Sequence, residues 1–419
     1  MPGGGGLLEL VAKGKQDLFL TGNPQVSWFK MVYRRYTNFA RESQPMYFDG
    51  TPNFGKRISC NIPRRGDLLG PVFLEVTLPA LFYSDGITPV KWVNTIGHAL
   101  IKEITFEVGE KEVDKQTGEW MEIWTRYTMS EAQKQGFYNM IGKTDNYNPS
   151  VNFNKLYIPL QFWFCRNPGS YLPLLALQYH QLRINVTLRT LNELVLPDPA
   201  AALNPTIPCI PPVNPTSTPI DLMLYGDYVY LDTEERRRFV STAHEYLIEQ
   251  VQYTSPISIP ASATTVTIPV EFNNPIKEFF WYIQRDYIQQ AKEWFNYSSL
   301  GTTETGIRTD LITGTVIQFD GFDRFYKRDA GYFRLVQPYQ HHTCVPAESF
   351  IYSYSLALRP EDAQPTGSVN ASRIDSMVFQ IDLNTTTTPP RGNSHCVIYA
   401  INHNIFRVIE GFGGLLFTV

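Results

Sequence analysis

Ile104-Thr-Phe-Glu-Val-Gly109 is followed nine residues later by Gly118, which opens Glu-Trp-Met-Glu-Ile-Trp. Ile317-Gln-Phe-Asp-Gly321 is followed ten residues later by Gly331, which opens Tyr-Phe-Arg-Leu-Val. Both stretches alternate apolar and polar residues up to a glycine, the pattern of a strand entering a hairpin turn. Both then pass through charged residues into an aromatic segment that suits a short helix. One order of features, met twice in one chain, predicts a duplicated β unit.

Reading outward extends the parallel. Short alternating or apolar runs bounded by Gly, Pro, Asn and Asp predict strands at Pro45–Asp49, Ile58–Ile62, Val72–Leu78, Ile104–Val108, Tyr157–Phe164, Leu182–Leu188 and Leu222–Leu231. A second series falls at Tyr246–Tyr253, Thr265–Phe272, Glu278–Ile283, Val316–Phe319, Phe350–Leu358, Met377–Leu383, Cys396–Ile401 and Leu415–Val419. Ile58–Ile62, a turn at Arg65-Gly66-Asp67 and Val72–Leu78 answer Thr265–Phe272, a turn at Asn273-Asn274-Pro275 and Glu278–Ile283. Residue identities are few, so the shared order carries the reading. The expected fold class is all-β, with two tandem sandwiches over residues 44–235 and 236–419 behind an N-terminal arm of residues 1–43.

Leu196–Pro219 holds eight prolines and almost no charge, and proline cannot join a central strand. It is expected to be a long exposed loop within the first series. Asp232-Thr-Glu-Glu-Arg-Arg-Arg-Phe239 reads as a solvated connection or as an inter-subunit salt-bridge patch. In the arm, Asn23 before Pro24 predicts a helix start, with proline at the first helical position. Trp28, Phe29, Val32, Tyr33 and Tyr36 then share one helical face. Such a helix either docks on its own domain or reaches a neighbouring subunit.

The charged fraction is 18%, with hydrophobic residues at 43% and aromatics at 14%, against about 25% charge in ordinary soluble domains. A subunit whose flanks are covered by neighbours has this composition, because charge is depleted at interface cores. A net charge of −4 argues against a dedicated nucleic-acid binder. Cys60, Cys165, Cys209, Cys344 and Cys396 are odd in number and lack a C-x-x-C pair, which fits neither a disulfide framework nor a zinc site. The start lacks a signal-peptide pattern, no apolar run approaches ~18 residues, and Pro2 rules out N-myristoylation. The expectation is a protein made and used in the cytosol.

Catalytic patterns are missing where an enzyme would need them. No H-x-H, G-x-S-x-G, H-E-x-x-H, P-loop or G-x-G-x-x-G occurs. His341-His342-x-Cys344 is the local metal-ligand cluster, but adjacent strand residues face opposite ways. Asp320 and Asp323 form a carboxylate pair of the kind glycosidases use, in a chain with 40 acidic residues. Arg34-Arg35 and Arg236-Arg-Arg238 sit beside acidic or aromatic neighbours, which favours packing or salt bridging over nucleic acid. Asn185, Asn296, Asn370 and Asn384 match N-x-[ST]. Asn185 lies in a strand that reads as buried, which leaves Asn296, Asn370 and Asn384 as candidate glycosylation sites. No catalytic residue, metal or cofactor is expected.

Several long motifs carry a resemblance. Leu8–Ala12, Gln16-Asp-Leu-Phe-Leu20, Thr21-Gly-Asn-Pro-Gln25 and Phe29-Lys-Met-Val-Tyr-Arg-Arg-Tyr-Thr-Asn-Phe-Ala40 resemble the N-terminus of the major capsid proteins of nucleocytoplasmic large DNA viruses. So do Ile62-Pro-Arg-Arg-Gly-Asp-Leu68, Leu177-Gln-Tyr-His-Gln-Leu-Arg183, Tyr228–Phe239, His244-Glu-Tyr-Leu-Ile-Glu-Gln250 and Tyr399–Val408. The resemblance implies a double jelly roll, two eight-stranded sandwiches side by side. It implies homotrimers forming pseudo-hexagonal capsomers that tile an icosahedral shell, often over an internal lipid membrane. Neighbouring capsomers, and minor capsid proteins linking shell to membrane, are the implied partners, without direct nucleic-acid contact. Relatives run the arm beneath the capsomer and build towers from long loops, which makes Leu196–Pro219 a tower candidate. On this reading Trp28, Phe29 and Tyr33 anchor the arm, and Arg34, Arg35, Arg236, Arg237 and Arg238 make charged contacts that fix register. The rival readings are a carbohydrate-binding or carbohydrate-active sandwich and a minor capsid relative.

Overall fold

The computed structural model describes residues 8, 10–12, 14–25, 27, 29–31, 33–79, 81, 91–143, 155–196 and 220–417. Met1–Asn38 forms one unit and Phe39–Val419 a second.

Eight strands make the first half of the larger unit. They are β1 (Phe39–Met46), β2 (Arg57–Asn61), β3 (Leu68–Thr77), β4 (Ile101–Val108), β5 (Lys111–Thr117), β6 (Lys155–Pro159), β7 (Leu182–Leu188) and β8 (Asp221–Leu231). They form two antiparallel sheets, β1-β8-β3-β6 and β2-β7-β4-β5. The second half contains β9 (His244–Tyr253), β10 (Ile257–Ile259), β11 (Thr265–Val270), β12 (Pro275–Arg285), β13 (Ile312–Phe319), β14 (Phe322–Asp323), β15 (Arg328–Asp329), β16 (Tyr352–Ser355), β17 (Val369–Asn370), β18 (Met377–Leu383), β19 (Ser394–Ile409) and β20 (Phe412–Leu415). One sheet runs β10-β19-β12-β16, with β9 and β20 also on β19 and β17 on β12; the other runs β11-β18-β13-β14, with β15 on β13. Without the short additions, β9-β19-β12-β16 repeats β1-β8-β3-β6, and β11-β18-β13-β14 repeats β2-β7-β4-β5. Each half is a jelly roll, and the chain is a double jelly roll.

Period-two burial explains why these segments are strands. Leu182, Ile184, Val186 and Leu188 face the first core, and Met377, Phe379, Ile381 and Leu383 face the second. Ile104–Gly109 and Ile317–Gly321 behave alike. β4 turns into β5 through Gly109 and Glu110, and β13 turns into β14 through Asp320 and Gly321, all at positive φ. Two left-handed residues in succession define the turn whose twist matches a hairpin. After each hairpin comes a helix: Gly118–Thr128 in the first roll, and in the second a π-helical turn, Tyr332–Val336, continuing into Gln337–His341. The Thr117 hydroxyl caps the first helix by accepting the Trp120 N–H at 3.2 Å. Gly118 is demanded by space, since a Cβ there would lie 2.2 Å from the His98 carbonyl oxygen and 2.4 Å from that of Ile101.

Three local expectations fail, the simplest being the last strand, expected over Leu415–Val419 and found at Phe412–Leu415. Among the described residues of the arm no helix begins at Pro24; instead Leu18–Thr21 is helical, and Asn23 at φ 48° follows its end. Asparagine tolerates the left-handed region, and a following proline disfavours helix in the residue before it. Asn23-Pro24 is therefore a stop, and residues 33–38 have no regular structure. The strand expected over Tyr157–Phe164 ends at Pro159, and Trp163–Arg166 is a helical turn. Phe162, Trp163 and Phe164 are all buried, which an alternating strand cannot achieve. The turn gathers them around Phe106, with ring centroids 5.2–5.9 Å away. The proline-rich stretch lies outside the described residues from 197 to 219.

Candidate assembly surfaces

The Gly118–Thr128 helix faces two ways. Met121 enters the first core. Trp120, Ile123, Trp124 and Tyr127, spaced i, i+3, i+4 and i+7, form a separate buried cluster with Val251, Phe280, Tyr282, Val397, Tyr399 and Ile401 of the second roll. Trp120 lies 5.4 Å from Tyr399 and 5.5 Å from Phe280, and Tyr127 lies 5.0 Å from Phe280. Two hydroxyls are satisfied across this seam: Tyr127 donates to the Ile351 carbonyl at 3.0 Å, and Thr117 meets the Tyr399 hydroxyl at 3.0 Å. The seam joins one roll's helix to the outer face of the other roll's sheet.

Charges around the seam are paired. Buried Glu122 accepts from Arg126 at 2.7 Å, Lys143 at 2.8 Å and His98 at 2.8 Å. Burial alone would raise its pKa, but the Lys143 and Arg126 cations, helped by the His98 hydrogen bond, hold it well below the ordinary glutamate range. Burial brings Lys143 down to about 8. Glu249 of β9 takes Arg166 of the first roll at 3.0 Å and also Lys277 of β12. Arg166 stacks on Trp124, 4.2 Å from the ring centroid. Removing one member of such a set strands a buried charge, at a cost of about 3–5 kcal/mol. The seam thus specifies one relative placement of the rolls.

At the second helix, His342 lies between Glu278 (2.5 Å) and Glu361 (2.9 Å), with Tyr127 packed on its ring at 4.9 Å. Burial would lower its pKa, but the two carboxylates outweigh that and raise it to about 9. His341 turns elsewhere, its Nδ1 3.0 Å from the Leu358 carbonyl oxygen. His341, His342 and Cys344 therefore do not converge, and no group of three or more metal-ligating side chains is found among the described residues. Asp320 and Asp323 serve their hairpin: Asp320 accepts the Ser376 N–H at 2.8 Å, and Asp323 accepts from Gln318 at 2.7 Å.

The residues expected at interfaces divide. Phe29 is fully exposed, Tyr33 is 80% exposed, and Arg34 and Arg35 are exposed; Trp28 lies outside the described residues. Asp232–Phe239 is mostly the exposed helix Thr233–Ser241. On it Arg236 pairs with Asp67 of its own chain at 3.1 Å, and Arg237 pairs loosely with Glu234 at 3.5 Å. Arg238 is exposed.

Among the sequons, Asn296 is a correction. It is 1% exposed, and its amide donates to Glu293 and to the Leu300 carbonyl. The loop is folded around this side chain, which leaves no room for a sugar. Asn185 is buried too, as expected, and donates to Thr105. Asn384 is part-buried and donates to the Asp310 carbonyl, whereas Asn370 is exposed.

Sequence reading did not single out the seam aromatics, although their helical spacing marked them. It also missed two apolar patches that reach the surface, one part-buried and one exposed. Tyr225, Phe73 and Tyr157 form an aromatic row on the outer face of β8, β3 and β6, with the first two stacked at 5.3 Å. A cavity of about 340 Å³ opens beside them, lined by Pro71, Met140 and Pro159 among others. On the second helix Leu335, Val336 and Tyr339 are exposed, Tyr339 by 79%.

Two rolls locked by an aromatic seam, with apolar patches left on the flanks, define a structural protein of the double jelly-roll class. Residues 27–232 match the family described as major capsid protein N-terminus, and residues 235–414 match large eukaryotic DNA virus major capsid protein. The major capsid protein of Pyramimonas orientalis virus is 38% identical over 99% of this chain and 100% of its own length. That of Phaeocystis pouchetii virus is 33% identical, with 99% of each covered. A chain of the PBCV-1 virus capsid superposes with a TM-score of 0.76 at 28% identity, covering 94% of this chain and 100% of that one. The Faustovirus major capsid protein shares the fold, with a TM-score of 0.73 at 13% identity. The chain belongs to the large eukaryotic DNA virus major capsid proteins. Its function is that of a capsid protein, and its place is the virion shell.

Proposed function

We propose that three copies of this chain close into a pseudo-hexagonal capsomer and that capsomers tile an icosahedral shell. The observation that carries this is the repeated sheet order within one chain. Two lobes of one plan let three identical chains supply six similar corners. Residues 44–235 and 236–419 supply the two lobes, the first completed by Phe39–Ser43 at the start of β1, and the residues before Phe39 are the arm. Phe29 and Tyr33, exposed in the arm, act with Trp28 as anchors on a partner. Arg34, Arg35 and Arg238, with Arg237 held only loosely by Glu234, set register by charge, while Arg236 is engaged by Asp67. The shell role needs no catalytic residue or cofactor and no direct nucleic-acid contact. Minor capsid proteins beneath the shell, through them an internal membrane, and assembly in the host cytoplasm complete the reading. Asn370 is the sequon best placed for a sugar.

The test is the mass of the purified chain in solution, followed by deletion of residues 1–25. The expected result is three times 48.0 kDa for both proteins, with shell formation impaired only by the deletion. A monomer active on polysaccharide would support the sandwich rival. Loss of the trimer on deletion would place the arm inside the capsomer.

A further inference from the structure

Within the chain, the helix after the first hairpin crosses the outer face of the second roll's sheet. Trp120 lies on Tyr399 of β19 and Phe280 of β12, and Tyr127 reaches Phe280 and the Ile351 carbonyl just before β16. Its path is β19, β12, β16. The strands at these places in the first roll are β8, β3 and β6, and they carry Tyr225, Phe73 and Tyr157. Even the register agrees: Phe73 pairs with Tyr225 across its ladder, and Phe280 pairs with Tyr399 across the other. In the second roll this aromatic row is buried. In the first, Tyr157 is 37% exposed and a cavity opens beside it.

The helix that would correspond is also exposed. The Tyr332–His341 segment follows the second roll's hairpin as Gly118–Thr128 follows the first. Phe333 anchors it in its own core, while Leu335, Val336 and Tyr339 face outward. We infer that the Leu335/Val336/Tyr339 stripe of one copy docks on the Tyr225/Phe73/Tyr157 row of a second copy, repeating between chains the seam made within each chain. The inference rests on the trimer reading and says which surfaces make the trimer.

The surfaces suit each other chemically. On the sheet face Lys155 pairs with Glu75 at 2.8 Å and Arg41 with Asp227 at 2.7 Å, so these four charges stay paired beneath an apolar partner. The stripe and the row are different patches, so the contact is heterologous, and such contacts close into a ring when the rotation allows. Internal and external seams alternating around six rolls close after three chains. Met140, at the rim of the row, stands where the second copy's helix would end, as His342 stands at the end of the internal one.

The test compares full-length Y339E, Y157E and Y326E with the unmodified chain by solution mass. Tyr326 is 90% exposed but belongs to neither patch. The unmodified chain and Y326E are expected to stay trimeric. Y339E and Y157E, on opposite sides of the proposed contact, are each expected to fall to the single-chain mass of 48.0 kDa while still unfolding cooperatively, at a lower melting temperature because association no longer stabilises the fold. Trimers that survive both substitutions, or that dissociate only with Y326E, overturn this docking and leave the trimer reading intact. An unmodified chain that is itself monomeric overturns the trimer reading.

Discussion

The Gly118–Thr128 helix and the Tyr332–His341 segment follow hairpins closed by the same left-handed turn and end in different surroundings. The first has its outward side sealed by the neighbouring roll, whereas the second keeps Tyr339 in solvent. Their polar centres are also of opposite sign. Glu122 is an anion ringed by Arg126, Lys143 and His98, and His342 is a cation between Glu278 and Glu361. Duplication has preserved the frame and diverged the contacts. A helix that already has a partner within its chain specifies the fold, and one that does not is available for assembly.

Trp120→Ala should give the largest effect, a loss of about 3–5 kcal/mol in chemical denaturation, because Trp120 is fully buried between the rolls. Tyr339→Ala at the other helix should stay within about 0.5 kcal/mol for the isolated chain. Equal losses would mean that both helices are internal supports.

The histidine centre should respond to pH. Its folded pKa of about 9 exceeds the ordinary 6.5, so its contribution is complete below pH 6.5 and disappears as pH rises through 9. The displacement is worth on the order of 3 kcal/mol. Stability followed from pH 6 to pH 10 should fall across that window and do so less in His342→Gln. A variant with the same slope as the unmodified chain would remove the protonated histidine from the account.

The two glycines that open the helices sharpen the contrast further. Gly118→Ala pushes a Cβ against two backbone carbonyls and should cost about 1–3 kcal/mol or more. At Gly331 the nearest group is the Asp329 carboxylate, 3.2 Å away, so Gly331→Ala should change the melting temperature little. If both are tolerated, the first helix is not wedged as tightly as described.

Much of the fold was legible because its signals are local. Leu182–Leu188 and Met377–Leu383 declared themselves by alternation, and the hairpins by glycine beside a charged residue. Phe162–Phe164 misled because three successive apolar residues fit a buried strand or a turn equally well. Asn23-Pro24 misled because the same pair opens a helix or ends one. Asn296 passed as a sequon because burial of a loop side chain depends on residues brought together only by folding. The assembly surfaces were the least legible for a related reason. Tyr225, Phe73 and Tyr157 are far apart in sequence, and their exposure has meaning only beside the buried row at Tyr399 and Phe280.

Imaging of single purified oligomers tests the central claim most directly. The account predicts three chains forming a closed ring of six similar lobes, with seams inside and between chains alternating around it. A two-fold dimer, an open chain of subunits, or a trimer whose lobes meet away from Tyr339 and Tyr157 would contradict it.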